Sequence, residues 1–129
     1  MLTIRPIGHV KNGINGPADF KDQVSEIVID EALQDGLFRL ERSDRIIVIF
    51  VFDRNIGNDF KLRLHPRGDR SIPEVGVFAS RSPFRPNPIG VTEVELLSVK
   101  GNVLTVKGLD AFDGTPVLDI KPAEAWDGR

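Results

Sequence analysis

A chain of 129 residues has the size of one ordinary domain and can bury a core without disulfides or a structural metal, so a single domain over residues 1–129 is expected. It contains no cysteine, which excludes a disulfide framework, thiolate metal centres and a cysteine nucleophile, and fits an intracellular, cytoplasmic protein. The formal net charge of −2 does not mark a nucleic-acid binder by itself, and the longest apolar run, Ile46 to Phe52, is far too short to span a membrane.

Thr3 to Val10 and Ser25 to Ile29 are β-branched stretches, separated by the turn-rich Asn12-Gly13-Ile14-Asn15-Gly16-Pro17, which predicts strand, loop, strand. Asp30 to Leu40 begins with a capping-type aspartate and places Leu33, Leu37 and Leu40 at helical spacing, so one short helix is expected, weakened by Gly36. Ile46 to Phe52 is apolar at every position, the pattern of a central strand buried on both faces. Then follow Phe60 to Leu64, Val75 to Ser80, Ile89 to Val99, Val103 to Leu109 and Val117 to Ile120, each bounded by Gly, Pro, Asn or Asp, with Lys100-Gly101-Asn102 as a hairpin turn. The fold class is therefore all-β: a single-sheet β-barrel of about seven or eight strands with one short helix, because nothing else in the chain could cover a large open sheet.

Charge is unevenly spread. From Lys61 to Pro86 six basic residues (Lys61, Arg63, Arg67, Arg70, Arg81, Arg85) stand against Asp69 and Glu74, whereas from Asp110 to Asp127 five acids face only Lys121. The first segment suits phosphate, with Arg67 and Arg70 as candidate RNA contacts, and the second suits a cation; solvated surface is the plain alternative for both. Neither a G-x-G-x-x-G nor a G-x-x-x-x-G-K-[ST] string occurs, so neither the dinucleotide fingerprint nor a P-loop is available, which argues against a Rossmann-type methyltransferase. His9 and His65 are isolated, no metal site is expected, and no residue stands out as a catalytic acid or base.

The most unusual string is Gly76-Val77-Phe78-Ala79-Ser80-Arg81-Ser82-Pro83-Phe84-Arg85-Pro86-Asn87-Pro88-Ile89-Gly90, with three prolines in six residues. Each proline fixes its own φ and restricts the residue before it, so Arg81, Arg85 and Asn87 are held with little entropy left to lose on binding. The string resembles the G-V-F-A-[TS]-R-S-P-x-R-P-N-P-I-G signature of the YaeB/TsaA-like (TrmO-type) family. A second block, Leu109-Asp110-Ala111-Phe112-Asp113-Gly114-Thr115-Pro116-Val117-Leu118-Asp119-Ile120-Lys121-Pro122, is similar to that family's L-D-x-x-D-G-T-P-V-L-D-I-K-P. Pro6-Ile7-Gly8 and the run Gly36-Leu37 to Phe50-Val51-Phe52 agree with it more weakly.

The resemblance implies a β-barrel, usually a homodimer, that binds S-adenosylmethionine near the subunit interface and methylates N6 of threonylcarbamoyladenosine beside the anticodon of tRNA. It places cofactor contacts on Arg81, on Val91, on Asp110, Ala111, Phe112, Asp113 and Gly114, and on Asp53 and Arg54. Carboxylates can accept bonds from the donor's hydroxyls or amine, and Arg81 can clamp its carboxylate. Taken alone, Asp113-Gly114 reads better as a plain turn before a strand. Arg85 and Asn87 are expected to face the RNA, with Asn87 as a backbone cap the equal alternative. The sequence departs from the family's pattern at Asp53, where bacterial members carry histidine, at the short 12–17 loop, and at Ala123, where an aromatic residue is usual. A barrel that binds the cofactor as a non-catalytic regulatory module is the alternative reading.

Overall fold

The computed structural model describes residues 1–128. Eight strands form: β1 (Gly8–Lys11), β2 (Val24–Ile29), β3 (Arg45–Val51), β4 (Arg63–Leu64), β5 (Val75–Gly76), β6 (Ile89–Lys100), β7 (Val103–Lys107) and β8 (Pro116–Pro122). Six of them close into an antiparallel barrel in the order β1-β2-β7-β6-β3-β8, and β4 and β5 pair separately. Closure removes the free sheet edges that would otherwise expose unpaired backbone groups. The expected all-β barrel is what forms, with six of its eight strands in the barrel wall.

The interior is filled by one side-chain set from each of the six barrel strands, among them Val10, Ile27, Ile46, Val48, Phe50, Val94, Leu104, Val106 and Val117. On β3 the alternation is clear: Ile46, Val48 and Phe50 are buried, while Ile47, Ile49 and Val51 are half-exposed. This corrects the expectation of a strand buried on both faces. A single-sheet barrel has one inside, and no second layer covers the outer face of β3. Gly90, opposite Phe50 on β3, allows tight closure; a β-carbon there would lie 2.6 Å from the Phe50 ring.

Other differences follow from backbone chemistry. β1 is shorter than the 3–10 stretch, because Pro6 has no N–H to donate to a ladder, although Ile7 N–H still reaches Val117 O at 2.7 Å. The helical segment is a 3-10 helix over Glu31–Leu37, capped by Asp30 accepting from Ala32 N–H, followed by a second 3-10 turn at Leu40–Arg42. Of the expected strands at 60–64 and 75–80, only two residues each pair; Val77–Ala79 is a 3-10 turn that buries Val77.

Topology decides where function can sit. In the ring of six strands β7 and β8 are diametrically opposite, so the 108–115 connection must cross a mouth of the barrel, and it plugs that mouth with buried Leu109 and Ala111. β2 and β3 are likewise opposite, and their connection crosses the other mouth with Leu37 and Leu40 against the core. The first mouth also receives the 12–23 loop between β1 and β2 and the long 52–88 excursion between β3 and β6.

Candidate functional site

The first mouth gathers the cofactor residues expected from the sequence. Arg81 Nη2 donates to Val91 O on β6 at 2.8 Å. One residue on, Thr92 Oγ1 donates to Asp110 Oδ1 at 2.5 Å. An exposed guanidinium and an exposed carboxylate are thus fixed to consecutive residues of one strand, and no ion pair between them occurs among the described residues.

A second cluster adjoins it through the same crossing loop. Asp113 Oδ1 accepts from Asn12 N–H at 2.8 Å and from Gly13 N–H at 3.0 Å, while Asp113 N–H donates to Ile14 O at 2.7 Å. Those two backbone donors hold the Asp113 carboxyl below its ordinary value of 3.8, with smaller help from the charges of His9 and Lys11. Gly114 follows in the left-handed region at φ 81, where a β-carbon would be strained. Arg54 Nη1 donates to Asn15 O at 2.9 Å and its guanidinium lies 4.2 Å from the centre of the Phe112 ring. Phe112 in turn meets Phe20 edge-on at 6.0 Å. Asp53 is exposed at the start of the turn that presents Arg54.

The expected RNA contacts are more dispersed. Arg85 is half-buried and its Nη1 donates to Ser80 O at 3.1 Å and Ser82 O at 2.9 Å, which folds the side chain back onto the proline block. Asn87 is exposed, and its main-chain carbonyl accepts from Ile89 N–H at 2.7 Å. Arg67 and Arg70 project from the loop between β4 and β5, Arg67 in the left-handed region at φ 57. That loop is braced by Asp69 Oδ1, which accepts from Ser71 Oγ at 2.6 Å and from Ser71 N–H at 2.9 Å; both bonds lower the Asp69 pKa. His65 Nδ1 lies 2.8 Å from Ile72 O, within the same loop. His9 is exposed on β1.

Two grooves lie at the opposite mouth instead. One, of about 810 Å³, is lined by Phe38, Arg39, Arg42, Pro122, Ala123 and Trp126; the other, of about 440 Å³, runs beside Ile7, Gly8, Ile29 and Asn102. Trp126 stands 5.4 Å from the Arg39 guanidinium and 5.3 Å from that of Arg42, so it is remote from the expected cofactor residues. Around Arg81 the surface is an open face bearing Phe78, Phe84, Ile89 and Val91, exposed by 78%, 47%, 40% and 42%. Charged groups and exposed apolar side chains stand side by side here.

The family model for the tRNA-methyltransferase O N-terminal domain matches residues 10–126. The chain belongs to that family. An Archaeoglobus fulgidus protein named S-adenosyl-L-methionine-binding protein is 44% identical over 93% of this chain and 88% of its own length. A Mus musculus tRNA (adenine(37)-N6)-methyltransferase is 41% identical over 67% of this chain, which corresponds to 20% of the mouse protein. Among solved structures, TrmO from Pseudomonas aeruginosa superposes with a TM-score of 0.74 at 27% identity, over 99% of this chain and 62% of that one. The chain therefore spans less than two thirds of the solved protein.

Within this family domain, the sequence reading passed over Asn12, Asn15 and Thr92. Asn12 and Asn15 read as turn residues and Thr92 as one position in a strand. Their partners lie across the fold, 101 residues away for Asn12 and Asp113, and 18 for Thr92 and Asp110.

Proposed function

We propose that this domain binds S-adenosylmethionine on the plugged mouth of the barrel and transfers its methyl group to N6 of threonylcarbamoyladenosine beside the anticodon of tRNA. The observation that carries the reading is the placement of Arg81 and Asp110 at consecutive residues of β6 without neutralising each other. A zwitterionic amino-acid head, or a ribose beside a carboxylate, needs a donor and an acceptor of opposite charge held close and left open. The donor set therefore fits the cofactor. Arg54, stacked on Phe112, and the exposed Asp53 complete the wall, and Val91 and Ile89 offer it an apolar floor. The names of the archaeal and mouse relatives support the ligand and the reaction class.

S-adenosylmethionine supplies a methyl carbon already activated by its sulfonium. The task left to these residues is to orient the donor, exclude water and keep the acceptor nitrogen in line, for which no strong base is required. Arg67 and Arg70, together with Lys61, would engage RNA phosphates at the rim; Asn87 would meet the RNA nearer the donor, and Arg85 would stiffen the proline block between them. Because the site is an open face flanked by exposed apolar side chains, a second copy of the chain would supply the missing wall, as a homodimer.

Calorimetry with S-adenosylmethionine should give saturable binding, and Arg81→Ala or Asp110→Asn should each weaken it by about tenfold, the loss of one charge-assisted bond. The decisive assay incubates the protein with labelled donor and tRNA bearing the threonylcarbamoyl group and looks for N6-methylated nucleoside by mass spectrometry. Tight donor binding with no product would favour a non-catalytic module, a reading suggested by relatives named only for binding the cofactor. No binding at all would overturn both.

A further inference from the structure

We infer that Asn12 is a positioning residue for the crossing loop, holding the peptide between Asp110 and Phe112 in the conformation that receives the methyl donor. The inference rests on the reading that this loop meets the donor. Asn12 is half-buried just after β1, and its main-chain N–H, both side-chain N–H groups and its side-chain oxygen are all engaged. Its Nδ2 donates to Ser25 Oγ at 3.0 Å and to Ala111 O at 3.0 Å, its Oδ1 accepts from Ile14 N–H at 2.9 Å, and its own N–H reaches Asp113 Oδ1 at 2.8 Å.

Ser25, 1% exposed on β2, is a fixed point in the barrel wall, and Ala111 is buried as part of the plug. One side chain thus ties the 12–16 loop, the wall and the crossing loop together. Asp113 returns the tie through the main chain of Asn12 and Gly13, so the two loops are latched reciprocally. Residues 108–115 contain no ladder to the neighbouring strands over their middle. The bond on the Ala111 carbonyl therefore helps to set the direction of Asp110 on one side and of Phe112 on the other, together with the Thr92 hydroxyl on Asp110 and the Thr115 donors on the Phe112 carbonyl.

Only asparagine meets this requirement at this length. Aspartate would set a carboxylate against the Ala111 carbonyl and beside the Asp113 carboxylate, glutamine is one methylene too long, and alanine leaves a buried carbonyl and a buried hydroxyl without this partner. Asn102 provides a matched comparison at the other mouth. Its Nδ2 donates to Ile29 O at 2.7 Å, a side-chain to main-chain tie of the same kind, away from Arg81, Asp110 and the crossing loop.

The test compares S-adenosylmethionine affinity by calorimetry and unliganded melting temperature for the wild type, Asn12→Ala, Asn12→Asp, Ser25→Ala and Asn102→Ala. Asn12→Ala and Asn12→Asp should raise Kd by about tenfold or more and Ser25→Ala by about three- to fivefold, measured well below each melting transition. Asn102→Ala should lose comparable melting temperature yet keep its affinity within about twofold. A purely structural role would weaken Asn12→Ala and Asn102→Ala alike, or leave both near wild type, and either result overturns the inference. If Asn12→Ala does not fold, Ser25→Ala decides, and unchanged affinity there is fatal to it. A wild type that binds no donor is a different failure, removing the proposed function together with this inference.

Discussion

Asp113 holds two backbone N–H groups with a single carboxylate oxygen, and this one contact dictates a pH response. Its folded pKa lies below its ordinary value of 3.8 because Asn12 and Gly13 donate to the ionised form. A group depressed on folding contributes stability that is present above the unfolded pKa and lost as pH falls through the folded one. The latch between the two loops should therefore weaken below about pH 4, the ordinary carboxylate range. Thermal melts between neutral pH and pH 2.5 should show a shallower acid decline for Asp113→Asn than for the wild type. A remaining slope is expected from Asp69, lowered by its bonds from Ser71, and Asp69→Asn in the same background should flatten it further. An unchanged acid profile in the double variant would show that these carboxylates do not couple to folding. At this scale the sequence singles out Arg81 and Asp110 because they stand in contiguous motifs. It was silent about Thr92 and Asn12, since a hydroxyl or amide acquires its role from a partner that only the closed barrel brings near.

The strands show a similar division. β2, β3, β6 and β7 were legible because alternating or β-branched runs bounded by turn residues have few other uses. The helix was legible in place but not in type: Asp30 caps it as expected, yet the segment must cross the barrel mouth from β2 to β3, and it does so as 3-10 turns with Leu37 and Leu40 facing the core. The all-apolar run Ile46 to Phe52, most of which is β3, departs from its expected burial for a physical reason. Apolar composition reports the absence of charge on a face, not the presence of a covering layer. This gives a direct test of the inside and outside of β3. Ile46→Ala removes a side chain with no exposure and should cost about 2–4 kcal/mol as a cavity, whereas Ile47→Ala, half-exposed on the outer face, should cost under about 1.5 kcal/mol in the isolated domain. Equal costs in denaturant unfolding would mean that the outer face is buried after all, and a concentration-dependent cost for Ile47→Ala would identify a second copy as the cover.

That last outcome connects to the molecule as a whole, where the barrel presents two very different mouths. The two grooves belong to the end without expected site residues, while the end that collects Arg54, Arg81, Asp110 and Asp113 carries exposed apolar side chains. Phe60, Leu62, Phe78 and Phe84 are exposed by 48%, 64%, 78% and 47%, and their segments are joined by Val77 N–H to Leu62 O and Lys61 N–H to Phe84 O. These exposed apolar residues therefore lie on segments that are neighbours in the fold, on the same excursion between β3 and β6 that leads into Ile89 and Val91. Several large apolar side chains exposed on neighbouring segments suit burial against a partner, and an isologous contact would bury them while walling the proposed donor site. Sedimentation equilibrium at tens of micromolar should accordingly give the mass of two chains. Phe78→Asp should shift the species to monomer and weaken S-adenosylmethionine binding in the same step, because the second wall leaves with the partner. Phe38 supplies the control: it is 76% exposed but lines the groove at the opposite mouth, so Phe38→Asp should change neither mass nor affinity. A wild-type monomer that binds the donor tightly would show that one wall suffices, and the apolar patch would then be left for the RNA to cover.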